Sequence, residues 1–196
     1  MRVFVAGATG AVGVPLVRRL VEAGHAVAGT TRSEAKAGSI EELGATPVVV
    51  DVFDRDALVE AVRRFGPDAV IHELTALPDD PDKIAASAAA NNRIRREGTQ
   101  NLIAAFREVG ARHLLAQSVA FELEGDSGRA VTEHEAAVLE AGGVVLRYGY
   151  FYGPGTYHEH ERGKEPAIHV DEAARRTLEA LEAPSGVITI VEGARG

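Results

Sequence analysis

The feature that most constrains this chain is at its start. The apolar run Arg2-Val3-Phe4-Val5-Ala6 leads without a spacer into Gly7-Ala8-Thr9-Gly10-Ala11-Val12-Gly13, and an amphipathic stretch follows at once. A strand, a glycine-rich turn and a helix in that order form the opening of a βαβ unit. Each glycine has a separate task there. Gly7 permits the tight turn, Gly10 lets the backbone approach a ligand with no Cβ in the way, and Gly13 allows close packing of the helix on the sheet. Unpaired N–H groups at the helix start then attract phosphate, reinforced by the helix dipole. The loop Gly7, Thr9, Gly10, Ala11, Val12 and Gly13 is therefore expected to hold the diphosphate of a dinucleotide. A glycine-rich turn without function is the alternative, and the strand before it and helix after it argue against that.

The rest of the chain repeats the alternation. Strands are expected at 2–6, 25–30, 46–50, 69–74, 112–117, 144–148 and 187–191. Several are nearly continuous apolar runs, as in strands covered on both faces. Helices are expected over 11–23 and 55–65, the second stopped by Gly66-Pro67. The stretch 81–110 reads as one long helix or two joined near Gly98. Thr132-x-x-Glu135 ahead of Ala136, Val138 and Leu139 has the form of a capping box and predicts a helix start at Thr132. Asp171 is expected to begin the last helix. The sum is a doubly wound, Rossmann-type α/β fold: a parallel sheet with helices on both faces and right-handed crossovers. With 196 residues and no compositional break, one domain spanning 1–196 is expected.

Composition removes several classes of function. A net charge of −8 argues against a phosphate-tracking surface for nucleic acid. No apolar run approaches the roughly 18 residues of a spanning helix, and the start lacks the pattern of a signal peptide, so no membrane partner and a cytoplasmic location are expected. The absence of cysteine excludes disulfides, thiolate metal sites and cysteine nucleophiles. Two His and two Glu fall within Tyr157-His158-Glu159-His160-Glu161-Arg162. That segment reads better as a solvated loop than as a ligand set, and no metal site is assigned.

The end of the second strand bears on the kind of dinucleotide. An acidic residue about 20 residues beyond the loop marks a ribose 2′-hydroxyl. Gly29-Thr30-Thr31-Arg32-Ser33 has none. Arg32 can pair with a 2′-phosphate instead, with Thr30, Thr31 or Ser33 adding hydroxyls, which favours NADP while leaving NAD open. A solvated loop arginine is the other reading.

With these motifs in hand, the chain resembles the extended and atypical short-chain dehydrogenase/reductase superfamily, the NAD-dependent epimerase/dehydratase-like proteins. The resemblance runs through GATGAVG at 7–13, TRS at 31–33, VDVFD at 50–54, PDAVIHELTALP at 67–78, EGTQNLIAAFREVGARHLLAQS at 97–118, LRYGYFYGPG at 146–155 and HVDEAA at 169–174. It implies that Asp51 and Val52 touch the adenine edge, although Asp51 fits a turn equally well. It implies that Leu74, Thr75 and Ala76 lie along ribose and diphosphate. Ser118 matches the serine that holds a substrate carbonyl or hydroxyl, though a serine ending a strand is commonly a turn or cap residue. Tyr150 and Tyr152 match pocket walls beside the nicotinamide and a small-molecule substrate, while core or surface aromatics would look the same. The helices near 81–110 and 132–142 resemble those that pair in homodimers.

The pattern also breaks. Active members use a Tyr-x-x-x-Lys pair after the serine, and this chain has none: its lysines are Lys36, Lys83 and Lys164. His134 or Glu133 could relay protons, but a solvated helix face is the expectation for both. The substrate side, 119–196, is short by comparison, with gaps expected near Glu133–His134, within 156–167 and beyond Val191. The sequence thus implies an oxidoreductase or epimerase-like protein acting on a small hydroxyl or carbonyl compound, a nucleotide sugar among them. A non-catalytic NADP-binding redox sensor is the alternative.

Overall fold

The computed structural model describes residues 1–78 and 80–193. Seven parallel strands form one sheet in the order β3-β2-β1-β4-β5-β6-β9. They are β1 (Arg2–Ala6), β2 (Ala26–Thr31), β3 (Thr46–Val49), β4 (Ala69–His72), β5 (His113–Val119), β6 (Val144–Tyr148) and β9 (Gly186–Ile190). The doubly wound fold is thus present. The chain leaves β1 on one side and returns beside it as β4 on the other, so strand order reverses there and a crevice opens beyond the strand ends. Two short strands unforeseen from the sequence, β7 (Tyr150–Tyr152) and β8 (Ala167–His169), pair parallel as a separate ribbon.

Two apolar layers hold the helices to the sheet. On one face α1 (Gly13–Glu22), α2 (Ala37–Glu42) and α7 (Val170–Glu179) bury Leu16, Val17, Leu20, Ile40, Ala173 and Ala174 against Val3, Val5 and Ile71. On the other, α3 (Arg55–Phe65), α5 (Thr99–Val109) and α6 (Gly125–Glu140) bury Leu58, Val62, Leu102, Phe106 and Val138 against Phe4, Val70 and Val145. Alternate residues of each strand feed opposite layers, which is why the strands read as unbroken apolar runs. Local chemistry sets the ends of α3: Asp54 accepts from Ala57 N–H at 3.0 Å, and Gly66 closes the helix at φ +63°.

The stretch 81–110 contains two helices joined near Gly98, as expected: α4 (Ile84–Arg93) passes through a π-helical turn, Ile94–Gly98, into α5. The capping box at Thr132 does not form, since α6 begins at Gly125. Thr132 Oγ1 turns back to donate to Gly128 O, and Glu135 is engaged across the fold instead. Glu133 and His134 are mid-helix neighbours in α6.

Candidate functional site

A cavity of about 240 Å³ occupies the crevice between β1 and β4. Its phosphate end is built by the first loop. Gly7 adopts φ +97°, and a Cβ on it would lie 2.6 Å from the Glu73 carbonyl carbon. Gly7 N–H donates to Thr30 Oγ1, fixing the turn to β2. Gly13 is more tightly enclosed, since its Cβ would fall 2.1 Å from Gly7 O. The constraint at Gly13 thus comes from the loop folding onto it, rather than from the sheet below. Gly10 differs, with only Gly7 O near its Cβ position, at 3.4 Å, and open space beyond. The amides of Ala11 and Val12 make no hydrogen bond among the described residues, and Val12 supplies no side-chain cap to α1. Unpaired donors at a helix start, beside a glycine that leaves its outer side empty, form a cradle that favours an anion.

The far end of the cavity carries positive charge. Arg32 and Lys36 both line it, exposed and without an ion pair among the described residues. Lys36 was missed because it belongs to a 3₁₀ turn, Glu34–Lys36, that no strong sequence pattern marks. Thr31 Oγ1 accepts from Ser33 N–H at 3.1 Å, which folds the segment so that Arg32 faces the opening. Val50, Val52 and Phe53 form the side wall. Asp51 is absent from that wall; its Oδ1 accepts from Phe53 N–H at 3.0 Å in a local turn. Asn101, from α5, donates to Val52 O at 2.9 Å and holds the wall in place.

Leu74 and Thr75 continue the lining after β4, whereas Ala76 lies just outside it, its N–H donating to Asn91 Oδ1. A buried polar chain fixes this segment. Leu74 N–H donates to His72 Nδ1, His72 Nε2 meets Thr99 Oγ1 at 3.2 Å, and Thr99 Oγ1 meets His134 Nδ1 at 2.7 Å. His134 Nε2 lies 3.0 Å from Gln117 O, which is an acceptor only. That end sets every direction: His134 carries its proton on Nε2, Thr99 donates to Nδ1, and His72 donates from Nε2. Both rings are neutral, because burial lowers the pKa of His72 to about 3 and that of His134 to about 4. Gln117 Nε2 then donates to Leu74 O, closing the circuit. His134 is therefore a core residue and not part of a solvated face, while Glu133 is exposed and paired with Arg96.

Ser118 ends up 7% exposed and lines neither this cavity nor the neighbouring one beside Pro154. Its Oγ donates to Glu135 Oε1 at 2.6 Å. Arg147 grips the same carboxylate with Nε at 2.9 Å and Nη2 at 2.6 Å. Burial pushes the Glu135 carboxyl up, but the Arg147 and Ser118 bonds outweigh it and keep the group ionised. Helix α6, which packs over Ser118, contains neither Tyr nor Lys. Tyr150 stacks on Phe121 with ring centroids 3.9 Å apart, and Tyr152 donates to Glu192. Among the described residues no group of three His, Cys, Asp or Glu could hold a metal ion, and no helix is long and apolar enough to cross a membrane.

Comparison with known proteins gives the same framework. The model of the NAD dependent epimerase/dehydratase family matches residues 3–137. A 3-diazoavenalumate denitrifying reductase from a Streptomyces species is 37% identical over 227 residues, covering 93% of this chain and 72% of the reductase. The matched stretch is longer than the whole of this chain, so the reductase carries insertions that are absent here. The photosystem II assembly factor Ycf39 of Synechocystis is 34% identical over 119 residues, and there the chain spans only 34% of the relative's length. Among solved structures, UDP-glucose 4-epimerase of Thermus thermophilus in complex with NAD superposes with a TM-score of 0.82 at 20% identity, covering 99% of this chain and 78% of the epimerase. The Thermotoga maritima UDP-glucose 4-epimerase gives 0.80 at 18%, covering 97% and 77%. At such identities these two establish the fold alone.

Proposed function

Because this chain belongs to the NAD dependent epimerase/dehydratase family and has an NAD(P)-dependent oxidoreductase or epimerase-like function, we propose that it binds NADP in preference to NAD and acts on a small hydroxyl- or carbonyl-bearing molecule. The observation that carries this reading is the cavity between β1 and β4, with a diphosphate cradle at one end and the unpaired Arg32 and Lys36 at the other. When bound, the nicotinamide supplies or accepts hydride at its C4. The chain supplies the rest. Gly7 to Gly13 hold the diphosphate, Val52 and Phe53 flank the adenine, and Asp51 shapes that wall through its turn. Leu74, Thr75 and Ala76 lie along the ribose and diphosphate. Arg32 and Lys36 take the 2′-phosphate as charge-assisted donors.

Arg32→Ala and Lys36→Ala are each expected to weaken NADP binding about tenfold, the worth of one such bond, and to leave NAD affinity unchanged. Calorimetric titration with both dinucleotides reads this directly. Unchanged NADP affinity in both variants would remove the 2′-phosphate assignment.

On the substrate side, Ser118 is the polar group for the reacting oxygen, with Tyr150 and Tyr152 as walls. The Streptomyces relative is named as a reductase of a diazo compound and the structural neighbours as sugar-nucleotide epimerases, which sets the order of compounds to try. Ser118→Ala is expected to lower NADPH turnover by about a hundredfold or more. Equal, negligible turnover in both proteins across aldehydes, ketones, diazo compounds and nucleotide sugars would favour the second reading, an NADP sensor without catalysis. A specific observation supports that reading: the Ser118 hydroxyl is committed to Glu135, and α6 brings no Tyr–Lys pair to it. The proposal includes one domain, a cytoplasmic setting and a homodimer through α4 and α6, where Ile84 and Leu139 are exposed. A monomer in light scattering would count against the last.

A further inference from the structure

Glu73 follows β4 directly and lies under the phosphate loop, in the wall of the cavity that also includes Gly7 and Gly10. Only 6% of the residue is exposed. Its Oε1 stands 3.1 Å from the Tyr148 hydroxyl, and that hydroxyl stands 2.5 Å from Thr177 Oγ1. Its Oε2 is buried with no hydrogen-bond partner among the described residues. Tyr148 has one hydroxyl hydrogen. Thr177 gives its single hydrogen to Ala173 O, 2.8 Å away and an acceptor only, so Tyr148 gives its own to Thr177, and the hydrogen between Oε1 and Tyr148 must be the acid's. The neutral acid then carries its proton on Oε1, and Oε2 is its carbonyl oxygen. An ionised carboxylate would instead leave buried negative charge on an atom with nothing to offset it.

We propose that Glu73 is a working member of the dinucleotide site, that it serves there as the uncharged acid, and that the diphosphate is held only while Glu73 keeps its proton. This rests on the dinucleotide reading given above. A bound diphosphate is anionic, and a further negative charge in the wall of the same cavity opposes it in surroundings where screening is weak. Among the described residues no cation packs on Glu73 to cancel that charge. Strand β1 and its loop bring backbone, with Glu73 N–H donating to Ala6 O at 2.7 Å. Strand β6 brings Tyr148, whose pKa is raised by burial and by Glu73 itself. Helix α7 brings Thr177; its charged residues are engaged elsewhere, Glu172 with Arg175 and Arg176, and Asp171 with His169. His72 faces Thr99 on the opposite side of the sheet and is neutral. Burial, offset only by the Tyr148 bond, moves the Glu73 pKa up to about 8. The proton is thus in place at neutral pH and departs under mildly alkaline conditions.

Oxidised NAD has no group of its own titrating between about pH 6 and about pH 9.5, which makes it the suitable probe. Calorimetric titration of wild type is expected to give a Kd that is steady up to about pH 8 and rises roughly tenfold per pH unit beyond. Glu73→Gln, close in shape and never charged, is expected to give a flat profile. Identical profiles in the two proteins would overturn the proposal. The unsubstituted protein gives an independent reading: in buffers of different ionisation enthalpy at about pH 9, binding should take up close to one proton per NAD. No uptake overturns the proposal whatever becomes of the variant. NAD binding with a flat wild-type profile sinks the role of Glu73 alone, whereas no binding at any pH removes the dinucleotide reading with it.

Discussion

Gly13→Ala is expected to lower the melting temperature by about 6–12 °C, which is the shift that about 3 kcal/mol produces in a chain of this size. The figure sits at the upper end of overpacking costs because the obstacle is backbone. The new Cβ would fall 2.1 Å from Gly7 O and 2.9 Å from the Ala8 carbonyl carbon, and neither atom can rotate away as a side chain would. Relief requires the phosphate loop to open. Dinucleotide affinity should therefore fall by a hundredfold or more, since about 1.4 kcal/mol of misplacement is already a factor of ten. Gly10→Ala is the informative partner. Its Cβ meets only Gly7 O at 3.4 Å, so the melting temperature without ligand should stay close to wild type while dinucleotide binding is lost. Thermal melts paired with NADPH fluorescence titrations separate the two. A Gly10→Ala protein that binds normally would show that the diphosphate lies elsewhere.

The second large effect is on stability against pH, and three buried groups of two opposite kinds determine it. His72 and His134 have folded pKa values near 3 and 4, below the ordinary 6.5. Their contribution is complete above pH 6.5 and is lost as pH falls, because only the unfolded chain takes up the protons. Glu73 runs the other way. Its pKa is raised from 4.5 to about 8, so its contribution is complete below 4.5 and is lost as pH rises through 8. Between 4.5 and 6.5 unfolding takes up two protons at the histidines and releases one at Glu73. Stability should then fall by about 1.4 kcal/mol for each unit of acidification, and twice as steeply once Glu73 no longer opposes it. By pH 4 the loss is on the order of 4 kcal/mol, a large part of an ordinary domain's stability. Between 6.5 and 8 it should fall by about 1.4 kcal/mol per unit in the alkaline direction. Denaturant melts across this range should therefore show a maximum near pH 6.5. Glu73→Gln should abolish the alkaline limb and double the slope between 4.5 and 6.5. A wild-type curve without an acid limb would mean that the histidines are not held neutral by the fold.

These groups also mark what could be read from the sequence. The phosphate loop was legible because its determinants are local: Gly7, Gly10 and Gly13 act within seven residues on one turn. Arg32 was legible for the same reason, as the end of a strand beside that turn. The parallel sheet showed in apolar runs such as 48–50 and 69–71. What escaped is what depends on residues distant in sequence. Nothing near His134 indicates that Thr99 waits 35 positions earlier, and a lone histidine among glutamates looks solvated. Thr132 and Glu135 have the spacing of a capping box, but Arg147 and Ser118 claim the glutamate and the threonine bonds backward to Gly128 O. Glu73 was passed over inside an apolar strand motif, since its distinction is an oxygen without a partner, and that exists only once the chain is folded.

Among the described residues, all those lining the cavity proposed for the dinucleotide precede α5; the last is Ile94. The socket is thus laid down in the first half of synthesis, and the residues with substrate-side assignments, Ser118, Tyr150 and Tyr152, all follow it. In engineering terms the fold is a fixed holder with an exchangeable fitting. Segments after β5 can be shortened or replaced by recombination without redrawing the nucleotide seat. Such exchange must keep two ties that run back into it, His134 to Thr99 and Tyr148 to Glu73. A graft that respects them would inherit cofactor binding intact and be free to change its chemistry.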